Sequence, residues 1–448
     1  MSINATCRMF RLSLSCLAYV FLSFQLALAQ ENWPRFRGAD ATGVVADDPR
    51  LPDTWSPEKN IRWRANIPGW SWSSPVVWGN RVFVSSCHSD VDYQEVKNWA
   101  GDAPPPSDSI HHWMVYCLSL ETGELVWKRE AHTGKPKMGR HWKNSYASET
   151  PTTDGKRLYV LFGDLGMYCY DFDGKPLWKY ALEAKAVEGN YGAASSPVVH
   201  DGQVFMVYDN EEESFILAID GKTGNTNWKK SRDEVCSWST PFVWEHAGRT
   251  EIVTAGKTAH RSYSLDGEVL WHFDPRGFFP IPSPFASDGL LYFGTGNGGG
   301  DRPVYAVAAG AKGDISLADD ATSNEFIKWY LRIGGPYTVS ALVYRGFYYT
   351  VIDNRGMVTC HDARTGKSVY GRQRFPGGVR FTASPWAYNG KVFFLSDDGV
   401  TYVVPAGPDF KIERQNSLDE LCLSTPAISQ GNLLIRTRSQ IYCITNKP

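Results

Sequence analysis

The sequence predicts an all-β chain: an eight-bladed β-propeller of four-stranded antiparallel blades, closed by an N-terminal strand that completes the last blade. Three observations predict it. A Ser/Thr-Pro-type step opening an apolar strand recurs along the chain, with openings near 74, 150, 196, 240, 283, 340, 384 and 425. Most of the intervals are 41 to 46 residues, room for four short strands, and a unit of that length cannot bury its own apolar faces unless it stacks on neighbours. The composition also fits, since 17 Trp, 22 Tyr, 22 Phe and 41 Gly among 448 residues suit many short aromatic strands joined by glycine turns.

The units read in order as follows. The first opens at Ser74-Pro75 and ends on Thr122-Gly123 and Trp127; the second opens at Thr150-Pro151 and ends on Asp173-Gly174 and Trp178. The third runs from Ser196-Pro197 to Thr223-Gly224 and Trp228, the fourth from Thr240-Pro241 to Asp266-Gly267 and Trp271, and the fifth from Ser283-Pro284 to Trp329. Ser340-Ala341 opens the sixth, which closes on Thr365-Gly366 and Tyr370; Ser384-Pro385 opens the seventh. The eighth starts at Thr425-Pro426 and stops after Tyr442-Cys443-Ile444, one strand short. The missing strand, with its Trp63, stands before the first unit at Asn60–Ile67. The two long intervals carry insertions, at 88–113 and 294–327. Trp63, Trp127, Trp178, Trp228, Trp271 and Trp329 share one repeat position, which predicts packing between adjacent blades.

Arg8 and Arg11, the apolar run Leu12–Ala29 and the closing Ala27-Leu28-Ala29 read as a secretory signal peptide cleaved after Ala29. Residues 30–59 are then an N-terminal extension and 60–448 one propeller domain in the periplasm or outside the cell. A net charge of -2 gives no electrostatic reason to expect nucleic acid or an anionic membrane as partner.

Ala218-Ile219-Asp220-Gly221-Lys222-Thr223-Gly224-Asn225-Thr226-Asn227-Trp228 carries a resemblance over nearly the whole mature chain. It resembles the repeat of the pyrroloquinoline-quinone-like (PQQ-like) propeller family. One branch, the quinoprotein alcohol and sugar dehydrogenases, implies a quinone and Ca²⁺ held with adjacent cysteines, a carboxylate ligand set and a catalytic Asp. Another, similar to the outer-membrane assembly lipoprotein of Gram-negative bacteria, implies a propeller that binds without a cofactor. The chain has no Cys-Cys pair and no C-x-x-C-H haem motif, which turns the reading toward the second branch. Trp33-Pro34-Arg35-Phe36-Arg37-Gly38 is similar to the opening phrase of a group of secreted PQQ-like propellers.

Cys117, Cys169, Cys360 and Cys443 fall at the same third-strand position, where the third unit has Ala218, and read as small core residues. A disulfide among Cys87, Cys236 and Cys422 is left open. His88, His111, His112, Asp90, Asp92 and Glu95 have no fixed ligand spacing, so no metal is expected.

Loops on a rigid propeller carry function where they crowd one mouth of the channel. Two loop sets should meet there: the link before each opening, and the loop between second and third strands. They nominate as ligand-binding candidates His141, Lys143, Asn144, Tyr146, Asp164, Tyr191, Trp238, Lys257, Asn297, Tyr337, Asp353, Arg380 and Asp397. No nucleophile or general base is assigned. The functional expectation is a non-catalytic binding or assembly scaffold without cofactor, a monomer acting on an envelope or extracellular protein or a polar small ligand. One alternative is a PQQ- and calcium-dependent oxidoreductase of alcohols or sugars; a second is polysaccharide binding at the insertion around Trp99 and Trp113.

Overall fold

The computed structural model describes residues 32–91, 106–246, 248–296, 300–352 and 356–446. The proposed signal peptide, Trp99, Asn297 and Asp353 lie outside these residues. Eight antiparallel sheets follow one another around the molecule, and two short 3₁₀ turns are its only helical elements among the described residues. No described helix is long and apolar enough to cross a membrane.

In seven of the sheets the chain runs strand by strand from the inner edge outward, as from Val198–His200 through Gln203–Tyr208 and Phe215–Asp220 to Thr226–Ser231. The innermost strands follow the Ser/Thr-Pro steps. Proline fits there because an edge strand forfeits no ladder hydrogen bond to its missing N–H. The eighth sheet holds Ala427–Ser429, Asn432–Arg436 and Gln440–Ile444, and its outer strand is the N-terminal Ile61–Asn66, antiparallel to Gln440–Ile444. The ring is therefore closed by strands from both ends of the chain.

Five of the six repeated tryptophans fasten a blade to the next one. Trp63, Trp127, Trp178, Trp228 and Trp329 donate their indole N–H to the carbonyls of Leu120, Phe172, Gly221, Leu265 and Ala363 at 2.8–3.0 Å. Each indole also lies on the turn glycine of the neighbouring blade. At Gly224 (φ +77°) a Cβ would come within 2.7 Å of Trp178, so both the backbone and the packing require glycine. Across the strand pair each indole faces a small residue: Trp63 is opposite Cys443, Trp127 opposite Cys117, Trp178 opposite Cys169, and Trp228 opposite Ala218.

Trp271 departs from the expected docking role. It is fully buried, and its N–H goes to the Glu251 carboxylate of its own blade at 2.7 Å. The fifth blade has no turn glycine to receive it, because the chain between Val304–Ala308 and Ile327–Leu331 carries the insertion. Part of that insertion, Gly313–Asp314, adds a parallel fifth strand beside Trp271 and His272. In the first insertion, Arg81–Ser89 and His111–Ser119 pair along their full length and extend the blade. Trp113 lies inside that hairpin, fully buried with its N–H on the Tyr146 carbonyl, and has no face to offer a polysaccharide. All seven described cysteines are buried and unpaired, so no disulfide joins Cys87, Cys236 and Cys422. Burial pushes the thiols up, to about 11 at Cys236 and about 12 at Cys117, Cys169 and Cys360.

The extension is a strap across the face formed by the turns between first and second strands. Trp33 bridges to Val77 of the first blade, the Pro34 carbonyl accepts from Thr153 of the second, and Arg37 donates to the Ala341 carbonyl of the sixth at 2.6 Å. Val45 and Asp48 then reach Ala387 and Asn389 of the seventh, and Trp55 stacks on Phe393.

Removing residues 60–68 should open the ring and lower the melting temperature by well over 10 °C. Trp63→Ala, by cavity formation and a lost hydrogen bond, should cost on the order of 3–5 kcal/mol. Calorimetry checks both, and a deletion protein melting like the full chain would overturn closure by this strand.

Candidate functional site

The repeated Ser/Thr that opens each blade has a role that composition does not suggest. The backbone N–H of Ser74 donates to the Thr150 hydroxyl at 3.0 Å, and that of Thr150 to Ser196 at 2.9 Å. The sequence continues blade to blade, Ser196 to Thr240, Thr240 to Ser283, Ser283 to Ser340, Ser340 to Ser384 and Ser384 to Thr425, all at 2.9–3.1 Å. The chemistry changes at the seam between last and first blades. There the Ser74 hydroxyl has no partner, the Ser424 hydroxyl donates to the Ser73 carbonyl, and buried Arg436 donates to Ser71, Ser73 and the Ser85 carbonyl. Burial pulls the Arg436 guanidinium down to about 9.

The seven accepting hydroxyls line a cavity of about 440 Å³ on the channel axis. Its walls follow the repeat register. The residue two before each opening Ser/Thr contributes in every blade: Trp72, Ser148, Ala194, Trp238, Ile281, Thr338, Thr382 and Leu423. Phe36 enters from the strap, which crosses the opposite end of the inner strands.

Of the candidates named from sequence, His141, Lys143, Asn144, Tyr191, Trp238, Tyr337 and Arg380 line this cavity. Aromatic rings form an arc along successive links: His141 to Tyr191 at 5.1 Å, Tyr191 to Trp238 at 6.2 Å, Trp238 to Phe279 at 6.2 Å and Phe279 to Tyr337 at 6.1 Å. Neighbouring rings tilt by 44–88° and none lies parallel to the next. Trp238 is anchored by its N–H on the Gly192 carbonyl at 2.7 Å. Asn144 donates to the Tyr191 and Ala193 carbonyls at 2.7 and 3.0 Å, tying the second link to the third. The His141 ring accepts the Lys143 backbone N–H at 3.1 Å, and burial together with the Lys143 ammonium lowers its proton affinity, leaving it neutral at pH 7.

The expected mixture of carboxylates among these groups does not form. Asp397 is buried behind the wall, where it pairs with the Lys143 ammonium at 3.1 Å. Asp164 is buried against the Lys137 backbone N–H, and Asp209, in the corresponding loop of the third blade, pairs with Arg232 with both side chains inaccessible. Tyr146 packs edge-on to His111 and under Trp113, away from the cavity. Lys257 sits over the Phe278 ring and 3.5 Å from Glu188. Asp164, Asp209, Lys257 and Asp397 share one reason: the links run along the channel edge, whereas the loops between second and third strands start one strand farther out and fold onto the blade. Tyr146 lies in a link, but its ring is taken up by the first insertion hairpin through His111 and Trp113. Asn297 and Asp353 lie outside the described residues. Sequence reasoning missed Trp72, Phe279, Phe36 and the hydroxyls. The repeat register held the signal for all but Phe36 and Phe279, since Trp72 and Trp238 occupy equivalent positions.

Among the described residues no three His, Cys, Asp or Glu side chains come together to hold a metal ion. His112 is engaged by Glu130 at 2.8 Å and Asp90 at 3.0 Å, which raises its proton affinity.

A family profile described as outer membrane protein assembly factor BamB matches residues 112–370, more than half of the sequence. The chain belongs to this BamB family. Among solved structures it is similar to BamB from Moraxella catarrhalis (TM-score 0.56, 11% identity, 86% of this chain and 99% of that one). A europium-containing methanol dehydrogenase is also similar (0.62, 12%, covering 93% and 98%), as is quinohemoprotein alcohol dehydrogenase from Comamonas testosteroni (0.60, 12%, covering 93% and 81%). At these identities the likeness is one of fold. A polyvinylalcohol dehydrogenase from a Pseudomonas species is 19% identical over 216 residues, and the match spans 44% of this chain but only 29% of that protein's length.

Behind the second link, Glu149 is fully enclosed and accepts the Gly163 N–H at 2.9 Å. Burial, aided by the nearby Asp164, raises its pKa from the ordinary 4.5 to about 8, and burial raises Asp164 to about 6. Folded Glu149 therefore keeps a proton that the unfolded chain releases above pH 4.5. Its contribution is fully present below that pH and is lost as pH rises toward 8, at up to about 1.4 kcal/mol per pH unit. Melting temperature should fall across pH 5–8, and Glu149→Gln should flatten that slope; an unchanged slope in the variant would exclude Glu149 as its source.

Proposed function

We propose that the chain is a non-catalytic binding propeller of the cell envelope whose working surface is the channel mouth, where it engages a protein partner or a polar ligand. The observation that carries this reading is a cavity walled by an aromatic arc, floored by hydroxyls and lined by two cationic side chains, Lys143 and Arg380, with no carboxylate among the described lining residues. Concave, mostly apolar walls with a few converging polar groups are what binding sites offer. Membership of the BamB family, whose description is one of outer-membrane protein assembly, favours a role in the envelope.

The lining does not suit the quinone–calcium pair of the alternative reading. Calcium takes six to eight oxygen ligands, carboxylates prominent among them. No described carboxylate lines the cavity, and all seven described cysteines are buried with no disulfide between any two. Nucleophilic and acid–base chemistry find no better footing: among the described residues His141 is the single imidazole in the lining, and no described carboxylate orients it.

Two measurements test the reading. Mature protein incubated with PQQ and Ca²⁺ should neither retain quinone absorbance nor reduce a dye acceptor with alcohols, sugars or polyvinyl alcohol; turnover above a cofactor-free control would establish the oxidoreductase instead. A photo-crosslinking residue at Tyr337, in the mouth, should capture a discrete envelope protein that the same probe at outer-strand Leu177 does not. Equal capture at both positions would overturn the mouth as the working surface.

A further inference from the structure

The hydrogen-bond balance of the cavity base narrows the ligand. Each of the seven channel hydroxyls accepts one backbone N–H, yet among the described residues none has a protein acceptor for its own proton. A hydroxyl carries one donor and two lone pairs, so each presents a spare O–H and a spare lone pair. Six of the seven belong to buried residues that line this cavity. At the rim, the exposed Arg380 guanidinium makes no salt bridge among the described residues.

A ring of spare O–H and lone-pair sites is the complement of a polyol, which must both donate and accept. A simple polyanion would use only half of it. Aromatic walls supply faces for the C–H groups of a sugar ring. The tilts between neighbouring rings provide no parallel slot for a flat aromatic molecule but suit a thick, puckered one touched from several sides. The volume of about 440 Å³ lies in the range of small-molecule sites, roughly 300–1,000 Å³. With no carboxylate among the described lining residues to repel it and Arg380 at the rim, an acid group on the sugar is favoured.

We propose that the channel mouth binds an acidic saccharide, with its hydroxyls on the Ser/Thr belt, its C–H faces against Trp238 and Tyr337, and its carboxylate at Arg380. This rests on the mouth being the binding surface. Phe36 then sets the depth, because the strap carries it into the same cavity from the end that the strap crosses.

The probe is digalacturonate, with the neutral galactose disaccharide and citrate as comparators, titrated into the full mature protein by calorimetry and by the fluorescence of Trp72 and Trp238. Digalacturonate should bind saturably, the neutral disaccharide at least ten-fold more weakly, and citrate not measurably. Arg380→Ala should weaken digalacturonate about ten-fold, the loss of one charge-assisted hydrogen-bonded contact. It should leave the neutral disaccharide and the melting temperature unchanged, since Arg380 is exposed. Phe36→Ala should alter affinity for di- relative to monogalacturonate. Absence of saturable binding, equal affinity for the neutral sugar, or insensitivity to Arg380→Ala would each overturn the proposal. If digalacturonate fails while the probe at Tyr337 still captures its partner, the ligand class is wrong and the mouth stands; if both fail, the mouth reading falls with it.

Discussion

The backbone N–H that opens one blade is satisfied by the hydroxyl that opens the next. On this interaction the inner half of the molecule depends. An innermost strand is an edge, with one row of polar backbone groups turned away from its own sheet, and a buried N–H left unpaired costs about 1–3 kcal/mol. Thr150, Ser196, Thr240 and their counterparts remove that cost at seven junctions and hold neighbouring blades in register at the axis. The following proline gives up no ladder bond. The repeated dipeptide is thus a joint, and the hydroxyl-bearing residues that make the joint also line the cavity.

The outer half is fastened by a second joint, the indole on a neighbouring turn glycine. The two joints act at different radii, so each blade is fixed against rotation as well as separation. The exceptions are instructive. At the seam the hydroxyl joint is missing, and Arg436, a cluster of serines and the shared sheet of both chain ends replace it. At Trp271 the glycine is missing, the indole turns to Glu251, and a piece of the insertion covers the gap. Where one joint is lost, buried polar pairing and extra strand area take its place.

The site was legible where it followed the repeat and illegible where it depended on depth. Tyr191, Trp238, Tyr337 and Arg380 were found because the links before each opening can be aligned, and all four line the cavity. Asp164, Asp397 and Lys257 were drawn from an equally regular set of loops, yet they pair with backbone, lysine or glutamate away from the channel. Polarity in a loop does not say which way the loop folds. Phe36 was visible as a motif residue, but its arrival in the channel depends on a strap that touches several blades distant in sequence.

The sequence by itself determined the number of blades, their strand order, the closure by Ile61–Asn66 and most of the docking aromatics. These follow from local spacing and turn chemistry repeated eight times, so each copy corroborates the others. Only the tertiary structure decided which polar groups face the channel, which are consumed behind it, and that one end of the channel is crossed by the chain's own N-terminal segment. Those outcomes rest on contacts between residues hundreds of positions apart, as between Arg37 and Ala341, and no periodicity along the chain encodes them.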